Sequence, residues 1–319
     1  MKEKNIKFLG LRLCEHDSNM SFFDGNKVFY RKLERHTRIK HDAYNNFESW
    51  ISEIKKIWGI TLDDLDEIGI VFDPWAYKLK DKKFFPSTNF KYLPYNITRI
   101  NHHYAHALSC WPINNKCKTH IVFDAYGDHN ISWTTFKNDK IFDMGYVNKQ
   151  GSLGLAMNLA AAILNIEPRN SYDVAGKVMG LQSYGHMNND YLKKLRNFDI
   201  NQINIVFDFN LWKQHIGDNL LAELKKIDWI RTVHFYAGEL LLNYFTKVID
   251  NNDDYISYSG GCAQNVVWNT ALKNKFKNLI IPPHCSDEGL SLGVIEFFRR
   301  KHDLPFFKLN NFPFSQGDN

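Results

Sequence analysis

Long apolar runs are missing from this sequence. A membrane span needs roughly 18 uninterrupted apolar residues, and the best candidate, residues 153–166, is broken by Asn158 and reads as a buried helix. Cysteine is scarce: the five present (Cys14, Cys110, Cys117, Cys262 and Cys285) form no C-x-x-C pair. That pattern argues against a disulfide framework or a thiolate zinc site and predicts reduced thiols in a cytoplasmic protein. Neither sign of charge dominates, since 40 Lys+Arg against 35 Asp+Glu leave +5. This excess is too dilute for the concentrated basic stripe of a nucleic-acid binder. Neither G-x-G-x-x-G nor G-K-[ST] occurs, which removes the Rossmann fingerprint and the P-loop. The N-terminal apolar stretch, residues 7–13, is short, holds Arg12 and runs into Glu15. It reads as a buried strand and not as a signal peptide.

What is present is a core-forming chain. With 319 residues, 44% hydrophobic and 15% aromatic, it can build two domains or one large α/β unit. Residues 7–13, 19–23 and 27–33 read as three strands, with Asp24-Gly25 as the hairpin turn. Residues 47–58 place Trp50, Ile51, Ile54, Ile57 and Trp58 on one helical face, and residues 68–72 form another strand. The grammar restarts near residue 119, where THIVFDAYGDHN, ISWTTF and IFDMGYV give strand–turn–strand–turn–strand again. Helices follow at residues 152–165 and 231–249. A strand at 255–259 runs into a helical stretch at 262–273, and after a strand at 279–281 the last helix spans 289–300. This duplication predicts an α/β fold of the actin-like ATPase type. Its lobes would be residues 1–118 and 119–301, with a nucleotide cleft between them and a tail at 302–319. The basic run at 78–83 reads as a solvated loop.

The densest cluster of chemistry-bearing residues is NHHYAHA, residues 101–107. His102 and His106 are four apart, so on a helix they lie about 40° apart on one face. Two imidazoles so placed can grip one divalent metal, leaving positions for a carboxylate and substrate oxygens. A half-buried polar helix start accounts for the same spacing. His103 points about 100° away and would orient the site or meet substrate. In IPPHCSDEGLSLG, residues 281–293, Asp287 reads equally as a hard oxygen ligand and as part of a helix cap.

Three glycine-bearing segments suit a nucleotide. In YSGGCAQN, Gly260 and Gly261 at a helix start, with Asn265 behind them, let backbone N–H groups approach a phosphate. A tight strand-to-helix turn uses the same residues. AGKVMGLQSYG sets Lys177 after Gly176 and adds a second glycine-rich turn, while FDAYGD ends a strand with Asp124 and Asp128 around Gly127. At the last, a phosphate-bound Mg2+ could sit between the carboxylates. At the N-terminus, His16 and Asp17 follow the first strand, and Arg35, Arg38, Lys40 and His41 follow the third. A hairpin-built sheet can return both groups to one end, where a histidine takes a proton from a hydroxyl and Lys40 or Arg38 holds an anionic or carbonyl oxygen.

In chain order, HDSN, ERHTRIKH, NHHYAHA, FDAYGD, SLGL, GKVMGLQSYG, GGCAQN and PPHCSDEGLSLG together resemble the O-carbamoyltransferase family. That family serves nodulation-factor, tobramycin, cephamycin and novobiocin-type biosynthesis. The resemblance implies an actin-like catalytic domain related to the threonylcarbamoyl-transferases of tRNA modification. Such a domain moves a carbamoyl group from carbamoyl-adenylate, made from carbamoyl phosphate and ATP, to a substrate hydroxyl beside Fe2+ or a similar divalent metal. It implies His102, His106 and Asp287 as metal ligands, His16 as the base and Lys40 as a contact to the carbamoyl or phosphate group. His103 joins the catalytic set, and Asp124, Gly127, Gly176, Lys177, Gly260, Gly261 and Asn265 are the expected nucleotide contacts.

Two departures touch those contacts: Asp124-Ala125 stands where Asp-Gly is usual, and Gln264 where an aliphatic residue is common. Family members also continue into a YrdC-like domain that makes the carbamoyl-adenylate, so the resemblance leads us to expect a separate YrdC-like partner. The acceptor would be a small molecule or nucleoside bearing a hydroxyl, met by variable loops such as residues 73–101. Two alternatives remain at this level: a non-catalytic nucleotide- and metal-binding scaffold, and a tRNA threonylcarbamoyl-transferase.

Overall fold

The computed structural model describes residues 6–13, 16–44, 47–71, 97–167, 171–197, 225–251 and 254–306. The basic run at 78–83, most of the expected specificity loop and the tail beyond residue 306 lie outside the described residues. In chain order the structure begins with β1 (Phe8–Arg12), β2 (Asn19–Phe23), β3 (Val28–Lys32), α1 (Leu33–Thr37), α2 (Phe47–Trp58), β4 (Glu67–Val71), β5 (Ile97–Ile100) and α3 (His102–Leu108). Next come β6 (Thr119–Phe123), β7 (Ile131–Lys137), β8 (Lys140–Tyr146), α4 (Val147–Gln150), α5 (Leu153–Ile163), α6 (Val174–Leu181) and α7 (Asn189–Asn197). The last are α8 (Lys226–Val248), β9 (Ile256–Ser259), α9 (Val266–Lys275), β10 (Leu279–Ile280) and α10 (Leu290–Lys301).

These elements form two compact units, one of Met1–Lys116, Gly127–His129 and Ile280–Asn319, the other of Cys117–Tyr126 and Asn130–Leu279. One sheet runs β3-β2-β1-β4-β5 and the other β8-β7-β6-β9-β10. In each, the first three strands are an antiparallel meander and the central strand pairs in parallel with a later one. The same strand order in both sheets, with the same sense over the first four strands of each, is the duplication that the sequence pattern predicts.

In the first unit all five residues of β1 are buried, so the sheet has two covered faces. Leu9, Leu11, Met20 and Phe22 pack on Trp50 and Ile54, which recur four residues apart along α2. On the opposite face Phe8, Phe23, Val71 and Ile100 meet Leu290, Val294 and Phe298 of α10. The hairpin between β2 and β3 is closed by Asp24, whose carboxylate accepts from the Asn26 and Lys27 N–H groups at 2.8 and 2.7 Å. Most elements fall within two residues of their expected bounds. The glycine-rich segment after Ala175 differs: it is the helix α6, held by the buried Val174 and Val178 one turn apart. Among the described residues no helix is long and apolar enough to cross a membrane.

Candidate active site

The first unit gathers the histidines and, Asp124 apart, the carboxylates singled out above. Helix α3 starts at a fixed point because Asn101 caps it, accepting from the Tyr104 N–H at 3.0 Å. Asp128 reinforces the start, accepting from the His102 N–H at 3.0 Å and from the Asn101 amide at 2.9 Å. His102 and His106 therefore share the buried face of α3, 2% and 0% exposed, with their Nε2 atoms 3.2 Å apart. Asp287 arrives from the 3-10 turn Asp287–Gly289 ahead of α10. Its Oδ1 lies 3.4 Å from His102 Nε2 and 3.3 Å from His106 Nε2.

The three atoms thus form a nearly equilateral triangle, which is a test of fit for a metal. A first-row ion held at about 2.0–2.2 Å sets neighbouring ligands roughly 3.0–3.5 Å apart. All three edges fall in that range, and two imidazoles with one carboxylate are the donor set that suits such ions. The other carboxylate oxygen is taken: the fully buried Arg12 donates to Asp287 Oδ2 at 2.9 Å and to its neighbour's carbonyl, Leu13 O, at 2.7 Å. Asn19 holds the Asp287 backbone carbonyl at 2.9 Å. Burial pushes the Asp287 carboxyl up. His102 and Arg12 beside it, with hydrogen bonds from His102 and His106, nevertheless hold it well below the usual carboxylate range.

A second set of groups adjoins the first. His16 Nδ1 is 2.9 Å from Asp17 Oδ2, and its Nε2 is 3.7 Å from Asp287 Oδ2. His41 Nδ1 reaches the same Asp17 oxygen at 3.0 Å, so the hairpin does return both N-terminal segments to one end. Burial raises the Asp17 carboxyl, but hydrogen bonds from His16 and His41 and the charges of His16 and Lys32 outweigh it, leaving Asp17 well below its ordinary value. The lysine among these carboxylates is Lys32 of β3. Its Nζ lies 2.7 Å from Glu288, 3.1 Å from Glu34 and 3.5 Å from Asp17. Lys40 is exposed in the turn that follows α1. His103 is buried against Gly127, where a Cβ would come within 2.5 Å of its ring, and it stands outside the His102–His106–Asp287 triangle.

One further buried histidine, His284, opens the loop that carries Asp287. Its Nε2 donates to Ser109 O at 2.7 Å. Burial pushes it down to about 4, with the Ser109 carbonyl opposing and the charge of His106 adding to the fall. Arg12, Lys32 and His284 were not singled out from the sequence. The signal for the first is a lone arginine inside an apolar strand.

The second unit holds the glycine-bearing segments. Gly260 sits at φ +92°, and a Cβ there would lie 2.1 Å from Phe123 O, so the strand-to-helix turn requires glycine. Asp124 Oδ1 accepts from the Ala125 N–H at 2.7 Å and the Gly261 N–H at 3.2 Å. Asn265 has a structural post. Its Oδ1 caps α9 by accepting from the Trp268 N–H at 3.2 Å, and its Nδ2 is 2.9 Å from His234 Nε2. Gly176 and Lys177 lie exposed on α6, with no heavy atom within 4 Å of a Cβ built on Gly176.

Comparison with known proteins gives three kinds of match. Residues 77–295 fit the family model described as carbamoyltransferase N-terminus. An uncharacterized protein of Methanocaldococcus jannaschii is 28% identical over 299 residues, covering 89% of this chain and 56% of its own length. The chain therefore spans about half of that relative. In fold, it is similar to component A of the Acidaminococcus fermentans (R)-2-hydroxyglutaryl-CoA dehydratase, at TM-score 0.54 and 15% identity, with 93% of this chain and 99% of that one covered. The activator of the Clostridium difficile 2-hydroxyisocaproyl-CoA dehydratase, with bound ADPNP, gives 0.53 at 11%, covering 95% and 100%. Full-length HypF, in its phosphate- and nucleotide-bound form, gives 0.52 at 13%, covering 95% of this chain and 57% of HypF.

Proposed function

This chain belongs to the carbamoyltransferase N-terminal family, and from that premise we propose that it transfers a carbamoyl group from carbamoyl-adenylate to a hydroxyl of a small-molecule or nucleoside acceptor. The observation that carries the proposal is the near-equilateral triangle of His102 Nε2, His106 Nε2 and Asp287 Oδ1 with His16 on its rim. These three side chains would hold a divalent ion, iron being the one we expect, and when bound it supplies a Lewis acid that polarises the carbamoyl carbonyl.

The remaining roles fall to the chain's own residues. Asp17 holds His16 Nδ1 at 2.9 Å and so orients the ring, and His16 Nε2 is assigned to accept the proton of the acceptor hydroxyl. As the acceptor oxygen bonds to the carbamoyl carbon, the bond to the adenylate phosphate oxygen breaks and AMP leaves. Arg12 occupies the second oxygen of Asp287 and so keeps one oxygen facing the imidazoles. Lys40 and His103 are assigned to the carbamoyl or phosphate group and to substrate, and the segments around Asp124, Gly127, Gly176, Lys177, Gly260 and Gly261 to the nucleotide. Fold relatives holding ADPNP or nucleotide support a nucleotide-derived donor. The donor would be made by a YrdC-like activity acting on carbamoyl phosphate and ATP.

The test incubates the purified chain with a YrdC-like protein, ¹⁴C-carbamoyl phosphate and ATP, together with hydroxyl-bearing sugars and nucleosides. Expected are AMP release and alkali-stable label on an acceptor, both lost in His102→Ala and His16→Ala. Label that stays in carbamoyl phosphate across the whole acceptor panel, with wild-type protein metal-loaded, would overturn the proposal. Label appearing on unmodified tRNA would replace it with the tRNA enzyme.

A further inference from the structure

The triangle depends on the register between two segments distant in sequence, α3 and the loop that enters α10. The rear of that loop is fixed by close packing: a Cβ on Gly293 would lie 2.0 Å from Ala105 O, so α10 rests directly on the backbone of α3. The front begins at His284, 2% exposed. Its Nε2 donates to Ser109 O at 2.7 Å. Ser109 in turn is the C-cap of α3: its N–H donates to Ala105 O at 2.9 Å and its hydroxyl to the carbonyl of His106 at 2.8 Å. The imidazole of His284 also packs on the turn it precedes, because a Cβ on Gly289 would meet the His284 carbonyl at 2.2 Å and its Cδ2 at 2.6 Å.

We infer that His284 is a positioning residue of the metal site, a strut between the C-terminal end of α3 and the loop of Asp287 that sets the distance from Asp287 Oδ1 to the two imidazoles. The inference rests on the metal reading above and goes beyond it by naming what holds the ligands in place. A hydrogen bond at one end of the loop and backbone contact at the other leave the Asp287 carboxylate little freedom, which is how outer partners raise the affinity of a ligand set.

Titration of the metal-free full-length protein with Co2+, followed by its visible d–d absorption, tests the strut without need of an acceptor. His284→Leu removes the donor and is expected to weaken Co2+ binding roughly ten- to a hundredfold and to alter the band shape. His284→Gln, whose amide can still donate to Ser109 O, is expected to restore the wild-type spectrum. Ile54→Ala, in the core on the other face of the same sheet, controls for lost stability: its Tm falls while its Co2+ affinity stays at the wild-type value. Should His284→Leu fail to fold, Gly289→Ala carries the test with the same expected weakening. Wild-type affinity in His284→Leu or in Gly289→Ala, or an equal loss in Ile54→Ala, overturns the positioning role. A wild-type protein that binds no Co2+ overturns the metal reading and this inference with it.

Discussion

A guanidinium in the middle of a sheet is stable only when its charge is matched, and Arg12 is matched by Asp287 at 2.9 Å. Replacing one member of such a pair strands the other. Arg12→Met, similar in length and uncharged, is expected to lower the unfolding free energy by about 3–5 kcal/mol, read from urea titrations. A loss under about 1 kcal/mol would show that Asp287 finds another counter-charge. His234 gives a pH-dependent case in the second unit. The capped amide of Asn265 turns its NH2 toward His234 Nε2, so that nitrogen accepts and the ring is neutral. Burial, with Arg231 adding to it, lowers its pKa from 6.5 to about 3. A depressed histidine pKa means that the unfolded chain takes up a proton first, so its stabilising effect is full above about 6.5 and is lost as pH falls toward 3. Between pH 7 and 5 the wild type should lose about 2 kcal/mol more than His234→Gln, which keeps an acceptor that does not titrate. Equal slopes for the two proteins would show that His234 protonates freely in the folded state.

Two helical glycines separate packing from propensity at the scale of the element. In α10, Gly293→Ala drives a methyl into the Ala105 carbonyl and should cost about 1–3 kcal/mol while weakening Co2+ binding. In α6, Gly176 has open space around it, so Gly176→Ala should gain about 0.5–1 kcal/mol of helix stability. Thermal unfolding of both variants reads the two signs, and a destabilised Gly176→Ala would mean that α6 meets something at that face. The same contrast explains what was legible in the sequence. The meanders were readable because Asp24-Gly25 is turn chemistry, and α2 because Trp50 and Ile54 keep the helical period. Helix α6 was not, since two glycines in eight residues argue against a helix until Val174 and Val178 find their packing. The two imidazoles were legible from a four-residue spacing. Arg12 was not, because its carboxylate partner lies 275 residues away and no local pattern encodes that pairing. For Lys32, the nearest of its three carboxylates, Glu288, is 256 residues away, although Glu34 and Asp17 are close in sequence.

For the whole molecule, the order of the chain decides what can fold alone. The second unit is nearly continuous, whereas the first takes its final piece from Ile280 onward. That piece brings Asp287, His284 and the helix that covers Phe8, Phe23, Val71 and Ile100 on one face of the first sheet. Leaving four such side chains bare costs roughly 1.5–3 kcal/mol each, a sum comparable with the 5–15 kcal/mol by which a whole domain is typically stable. A chain ended after residue 280 should therefore lose the fold of the first unit and all Co2+ binding. The second unit should persist, with its fully buried Trp229, Phe245 and Tyr258. Hydrogen exchange reads both halves of this expectation: amides of β1, β2 and β4 should exchange freely in the truncated chain, and those of β6, β9 and α8 should stay protected. Protected amides in β1 would mean that α2 alone suffices to hold the first sheet. In that case α10 would serve to deliver Asp287 to the imidazoles and not to complete the core.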